Sequence, residues 1–300
     1  MDHGLVSIVL PTYNCAHFLS RAIRSILDQT YSYWELLVID NHSSDNTMEI
    51  VHEFNDQRIK IYKIYNEGVI AKSRNFGVRE ATGRWVAFLD ADDWWYADKL
   101  QASVQVLILG HDIVYHDLVR VRVGWNLFKR TYVKTRELSK PVFLDLLSNG
   151  NGITNSSVVV CRKILLEVGG LSEDPLLVAC EDYECWLRIA KKTEKFVRLR
   201  KPYGFYWVGN NNLHLSTNSL NYIGELCRLY FPDTTVFKLN TKPVWLICAV
   251  VKALIKEKNY GKALIEIKKI KLSKAGYRDY LKFFILKLLV YKGLFWRIKL

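Results

Sequence analysis

Three carboxylates fall within four residues at Asp90-Ala91-Asp92-Asp93, directly after the apolar run Trp85-Val86-Ala87-Phe88-Leu89. That run reads as a buried strand, so the acids sit where a strand leaves its sheet. Open α/β sheets hold their ligands at that end. Carboxylates this close repel one another unless a cation joins them. Mg²⁺ and Mn²⁺ suit such oxygen donors, taking one or two carboxylates and completing their shell with substrate phosphates. The competing reading is a solvated acidic turn that only caps a helix starting near Tyr96. A second acidic pair, Glu181-Asp182, opens a run with Tyr183, Trp186, Leu187 and Ala190 at core spacing. Acids in a first turn complement the helix dipole, so this pair can be a helix start or a proton acceptor.

The elements that must position these acids alternate strand and helix. Val6–Leu10 reads as a first strand that stops at the turn-prone Pro11-Thr12-Tyr13-Asn14. Residues 16–29 have helical spacing, with Phe18, Ala22, Ile26 and Leu27 on one side. Glu35–Asp40 is a second strand ending in an acid, and Asn41–Thr47 is dense in turn formers and helix N-caps. A helix over about 46–55, a strand at 59–62, a loop at Asn66-Glu67-Gly68 and a helix from Ala71 to Ala81, closed by Gly83, follow. Strand and helix alternating with short links predict βαβ units and a doubly wound, mostly parallel α/β sheet. No G-x-G-x-x-G follows the first strand and no G-x-x-x-x-G-K-[ST] occurs. That argues against a dinucleotide dehydrogenase or a P-loop enzyme.

Past the acids, helix is expected over 100–109 and 141–148, and strands over 112–116, 118–123, 131–133 and 203–208. Half of the 300 residues are hydrophobic, enough for a sizeable core. Six cysteines without a C-x-x-C pair read as reduced thiols of a cytosolic protein. The N-terminus has no basic region before its first apolar run, so no secretory signal is expected. Net charge is +13, yet residues 241–300 alone carry 15 Lys/Arg against 3 Asp/Glu. A near-neutral body over 1–240 therefore bears a basic helical region over 241–300, with a boundary near Pro243.

Five motifs in this order resemble the family 2 glycosyltransferases: Ser7–Asn14, Val38–Asp45, Asn66-x-Gly68 with Arg74-Asn75-x-Gly77, Phe88–Asp93, and Gly169-Gly170 with Glu181-Asp182. The resemblance covers about residues 5–215. It implies a GT-A fold, with residues 1–110 binding a nucleotide-diphospho-sugar donor and 111–240 facing the acceptor. It further implies a divalent metal, Mn²⁺ or Mg²⁺, and inversion at the anomeric carbon. Pro11, Tyr13 and Asn14 match the turn under the nucleoside. Asp40 matches the acid that helps to hold the base. Asn41 stands where many members have a second Asp, and His42 where they have Gly, which loosens the inference about the base. Arg74 matches a basic residue near the diphosphate. Asp90, Ala91 and Asp92 match the D-x-D motif, with Asp92 the direct metal ligand and Asp90 the ribose or sugar contact. Asp182 matches the catalytic base, with Glu181 as the alternative. His214 matches a loop His that some relatives place near the metal. Trp94 and Trp95 either line the sugar pocket or pack in the core.

The expected activity is transfer of a sugar, UDP-linked in the first instance, to a saccharide or lipid-linked acceptor in bacterial surface polysaccharide assembly. A non-catalytic nucleotide-sugar binder or membrane scaffold is the alternative. From Pro243 onward, Tyr277, Leu281, Phe284, Leu288, Tyr291, Phe295 and Ile298 form an apolar stripe with lysines and an arginine between. The longest apolar run there, Val244 to Val251, is far short of the roughly 20 residues of a spanning helix. A peripheral position on the anionic inner face of the cell membrane fits this tail; a helical bundle with a solvated basic rim is the other reading. No nucleic-acid module accompanies the charge, so nucleic acid is not expected as a partner.

Overall fold

The computed structural model describes residues 4–122, 124, 131–209, 219–231, 243–270 and 283–292. The chain divides into two compact units, one of Met1–Phe143 with Asn151–Asn212 and one of Leu144–Gly150 with Leu213–Leu300.

The first unit is built on strands β1 (Val6–Thr12), β2 (Trp34–Asp40), β3 (Ile59–Lys63), β4 (Trp85–Phe88), β6 (Ile113–His116), β9 (Val159–Cys161) and β10 (Phe196–Leu199). They form one sheet in the order β10-β6-β9-β4-β1-β2-β3. Every pairing is parallel except those of β9, which runs antiparallel to β4 and β6. This is the expected mixed α/β sheet of GT-A type. A second sheet joins β5 (Trp94–Trp95), β11 (Gly204–Trp207), β7 (Leu118–Val121) and β8 (Thr131–Val133), in the order β5-β11-β7-β8. Helices α1 (Ala16–Leu27), α2 (Thr47–His52), α3 (Ile70–Glu80), α4 (Lys99–Leu107), α6 (Arg162–Glu167) and α7 (Glu181–Ala190) connect the strands. The sequence reads residues 153–160 as loop into strand, which β9 bears out, but its antiparallel direction, the short α6 and the half-buried β10 were not anticipated. Each of these elements is too short to show a period, and β10 carries no clean alternation of buried and exposed residues.

Two details set where the site lies. Strand β1 does not stop at Pro11. Val9 O accepts from Leu89 N on the β4 side, and Thr12 O accepts from Asn41 N on the β2 side. Pro11, two residues after Val9, therefore turns its nitrogen toward β4, just past the last β1–β4 pair, Val9 with Phe88. A proline is tolerated where no partner waits for its missing N–H. Helix α3 ends at Glu80 with Ala81 as its C-cap, close to the expected end, and the Gly83 backbone beyond it packs too closely on the chain entering β1 for any side chain: a Cβ there would lie 2.6 Å from Leu5 O.

The second unit takes in most of α5 (Val142–Asn149), α8 (Ser219–Tyr230), α9 (Val244–Lys256), α10 (Tyr260–Ile267) and a helical segment α11 over 283–292. Its core gathers Ile247, Val251 and Leu254 of α9, Ala263 and Ile267 of α10, and Leu286 and Val290 of α11. Trp245 closes onto α5, donating from Nε1 to Leu147 O at 2.9 Å. The compositional step at Pro243 falls inside this unit. No helix among the described residues is long and apolar enough to cross a membrane.

Candidate active site

The parallel registers bring Thr12, Asp40 and Lys63 level, with β4 alongside. The loops after these strands leave one edge of the sheet together. Side chains stitch them. Asn14, at φ +46, accepts at Oδ1 from Ser44 N (2.8 Å), and its own N–H donates to Ser43 Oγ (3.0 Å). Asp40 is fully buried and accepts at Oδ1 from Ser43 N (3.0 Å) and Ser43 Oγ (2.6 Å). Its Oδ2 is buried without a hydrogen-bond partner among the described residues, at a cost in desolvation. Asn41 accepts from Asn66 N at 2.9 Å, tying the β2 loop to the β3 loop. Tyr13 is left exposed beside them. His42, at φ +54, places its ring 5.1 Å from that of Tyr65.

The acid turn after β4 is held from three sides. Asp90 Oδ1 accepts from Arg74 Nη2 at 2.6 Å. Asp92 O accepts from Arg21 Nη2 at 3.0 Å. Asp93 Oδ1 accepts from the Trp207 N–H at 2.9 Å. The three carboxylates are therefore not equivalent. Asp93 is buried with Oδ2 unpartnered, and burial, then the charges of Asp92 and Asp90, raise its pKa well above the carboxylate range. It anchors β11 to the turn and drops out of the cation-binding set. Ala91 lies in the hydrophobic core and offers only its backbone. Asp92 is half-buried and its pKa is pushed up to about 6, by burial first and then by Asp90. Its carboxylate accepts from no other side chain among the described residues.

Arg21 is a contributor that the sequence reading passed over. Its guanidinium sits 3.5 Å from the Trp94 ring centroid and 5.4 Å from that of Trp207. From α1 it braces the acid turn without spending a carboxylate. Nothing local marks it: 71 residues separate it from Asp92. Trp94 stacks on Phe205 at 4.7 Å, and Trp95 is buried with Nε1 donating to Ser156 O at 2.8 Å. Trp95 thus serves packing, while Trp94 is half-buried on Phe205.

Arg74, which the resemblance sets near a diphosphate, is buried, with Nη1 on Glu181 Oε1 and Nη2 on Asp90 Oδ1, both at 2.6 Å. Asn155, its amide oxygen turned to the guanidinium, accepts from Nε at 3.3 Å. Burial alone would lower the guanidinium pKa; Asp90 and Glu181 raise it above its ordinary value. One cation of α3 thereby joins the acid turn to the first residue of α7. Glu181 is buried and committed to this pair. Among the described residues Asp182 accepts only from the Tyr183 N–H, at 2.6 Å. Its pKa is pushed up to about 7 by burial and then by the Glu181 charge, against the pull of Arg74. Cys180 and Cys185 flank the pair, but burial raises both thiols, Cys185 to about 12, which leaves them inert as nucleophiles.

The neighbouring Asn75 of α3 fixes the Gly169-Gly170 turn. Its Oδ1 accepts from Leu171 N, and its Nδ2 donates to Leu171 O and Glu173 Oε1, each at 2.8 Å. Both glycines have positive φ, but only Gly170 is crowded: a Cβ there would lie 2.4 Å from Asn75 Oδ1. Gly169→Ala is expected to cost about 1–2 kcal/mol from backbone strain alone. Gly170→Ala is expected to exceed it by at least about 1 kcal/mol, because the Asn75 bonds must also give. Urea unfolding of the two variants checks this; equal losses would sink the reading.

Among the described residues no three His, Cys, Asp or Glu converge to hold a metal by themselves. A cation completed by substrate phosphates needs only one or two carboxylates, and Asp92 with Asp90 fits that donor set. His214 lies outside the described residues.

The first unit thus combines a mixed α/β sheet, an acid turn after β4 and a second acidic pair tied back to it through Arg74. The sequence profile of Glycosyl transferase family 2 matches residues 7–166, over half of the chain, and the chain belongs to that family. It is a glycosyltransferase. It is similar to the UDP-Glc:alpha-D-GlcNAc-diphosphoundecaprenol beta-1,3-glucosyltransferase WfgD of Escherichia coli, 37% identical over 64% of this chain and 72% of the relative. The fold is similar to that of S. aureus TarS 1-349 in complex with UDP-GlcNAc, with a TM-score of 0.63 at 18% identity, over 90% of this chain and 77% of that one. It is also similar to the mannosyltransferase PcManGT of Pyrobaculum calidifontis, in complex with GDP-Man and Mn²⁺, with a TM-score of 0.59 at 16% identity, over 97% and 86%.

Proposed function

We propose that this enzyme transfers a sugar from a nucleotide-diphospho-sugar to a saccharide or lipid-linked acceptor in surface polysaccharide assembly, inverting the anomeric carbon. The carrying observation is the division of labour among the acids. Arg74 occupies Glu181 and one oxygen of Asp90, while Asp92 and Asp182 keep carboxylates that no other side chain among the described residues uses. Asp182 is the proton acceptor. An acceptor hydroxyl is a poor nucleophile at neutral pH, and a carboxylate whose pKa lies near 7 can take its proton during attack. Attack from the face opposite the leaving diphosphate gives inversion. Glu181 positions rather than reacts. Tyr13, Asn14, Asp40 and Asn41 hold the nucleoside, and the free Oδ2 of Asp40 suits an N–H of the base. Asp92, with Asp90, would hold Mn²⁺ or Mg²⁺, which would neutralise charge on the diphosphate.

A UDP-linked donor and a lipid-linked acceptor are favoured by what the Escherichia coli relative is named for. An acceptor on a lipid carrier would place the enzyme on the inner face of the cell membrane, as a peripheral protein. The test is thermal shift against UDP-, GDP-, dTDP- and CMP-sugars with and without Mn²⁺. At about 100 times Kd, one donor should stabilise by about 2.7 kcal/mol, a rise of several degrees. The shift should require Mn²⁺ and vanish in Asp92→Ala. A shift that survives Asp92→Ala unchanged removes Asp92 from the site.

A further inference from the structure

We propose that the outward face of α11 docks on an anionic lipid bilayer. The inward face is already used: Leu286 and Val290 are buried in the core of the second unit. At 100° per residue, Phe284, Leu288 and Tyr291 stack along the opposite side, with Ile285 and Leu289 next to them. All five are exposed, Leu288 to 68%. A helix that is apolar on both faces belongs inside a larger core or against lipid, and contiguous exposed apolar residues mark an interaction surface.

Charge selects the occupant. Residues 241–300 carry 15 Lys/Arg against 3 Asp/Glu. By the same helical geometry Lys292 falls among the outward apolar residues, and Lys287 lies at their border, its Nζ 5.7 Å from the Phe283 ring centroid. Such lysines bury their stems in an apolar phase and keep their heads at its polar edge. A second copy of the chain would set one strongly basic unit against another. An anionic headgroup layer over an acyl interior answers both the lysines and the five apolar side chains. The helix lies on the membrane and does not cross it. This deepens the lipid-linked acceptor reading by naming where the bilayer would sit.

The test is flotation of the full chain with vesicles of phosphatidylcholine alone or mixed with phosphatidylglycerol. Wild type should bind the anionic vesicles at least about tenfold better than the neutral ones. The double variant Phe284→Ser/Leu288→Ser should lose at least about tenfold on both. Lys287→Glu/Lys292→Glu should lose at least about tenfold on anionic vesicles only. Binding unchanged in both double variants, or no binding of the wild type, overturns the proposal. So does a wild-type dimer in sedimentation that becomes monomeric in the serine variant, which would assign the face to a second copy. The donor-induced thermal shift, measured on the same proteins, should be untouched. Its absence in wild type would count against the donor reading and leave the flotation result standing.

Discussion

Asp182→Asn is expected to lower kcat by about 10²–10⁴-fold, the usual contribution of a positioned base, while the donor-induced thermal shift persists. Asn matches Asp in shape and can still accept from the Tyr183 N–H, but it cannot take a proton at neutral pH. Glu181 cannot substitute, because Arg74 holds it at 2.6 Å. In wild type the reactive form is the carboxylate, so kcat/KM should rise with pH and level off above about 7, where Asp182 has lost its proton. The stability effect has the opposite sign. The folded pKa lies above the unfolded value of 3.8, so the folded state binds more protons between pH about 4 and 7. Wild type therefore loses stability as pH rises through that window. Asp182→Asn removes this dependence: relative to wild type, it should gain stability from pH 4 to 7. An inactive variant that binds donor and gains stability at pH 8 identifies a base. A variant within tenfold of wild-type kcat would move the role to another group.

Much of this arrangement is legible in the residue order. The parallel strands carry long apolar runs because both sheet faces are covered, and turn-forming clusters mark where each strand ends. Asp40, Asp92 and Asp182 stand at a strand end, after a strand end and at a helix start, so local pattern finds them. What local pattern does not reach is which acid is spent on structure. Asp90, Asp92 and Asp93 are alike in sequence, and they separate only through Arg74, Arg21 and the Trp207 N–H, at distances of 16, 71 and 114 residues. Arg74 shows the same limit. Its position in the chain suggests an anion-binding residue, and its surroundings make it a buried tie. The stripe of the basic tail is a further case. Phe284, Leu288 and Tyr291 have core spacing, but Leu286 and Val290, one face over, are what the core takes. Helical period says that a face is apolar; which apolar face turns inward depends on neighbouring helices.

Arg74→Met is expected to destabilise the protein by about 3–5 kcal/mol, the cost of leaving a buried ion pair with one side missing. Two carboxylates lose their partner at once. Glu181 is the more exposed to this loss, since its Oε2 already lacks a hydrogen bond. Unpaired and buried, its carboxylate bears a desolvation cost that nothing offsets. Arg74→Lys should recover only part of the stability, because one ammonium cannot reproduce a fork that serves Glu181, Asp90 and Asn155 together. The double variant Arg74→Met/Glu181→Leu removes charge from both sides and should regain most of the lost stability. It should not regain activity, because the tie between the acid turn and α7 is gone and Asp182 is no longer held relative to Asp92. Urea unfolding at pH 8, with kcat measured on each protein, reads all of these effects. If Arg74→Met stays within about 1 kcal/mol of wild type at pH 8, the pair is a surface contact in solution and the tie fails. If the double variant regains stability and activity together, Arg74 serves only to neutralise Glu181, and the placing of Asp182 falls to the packing of α7 through Trp186 and Leu187, both fully buried.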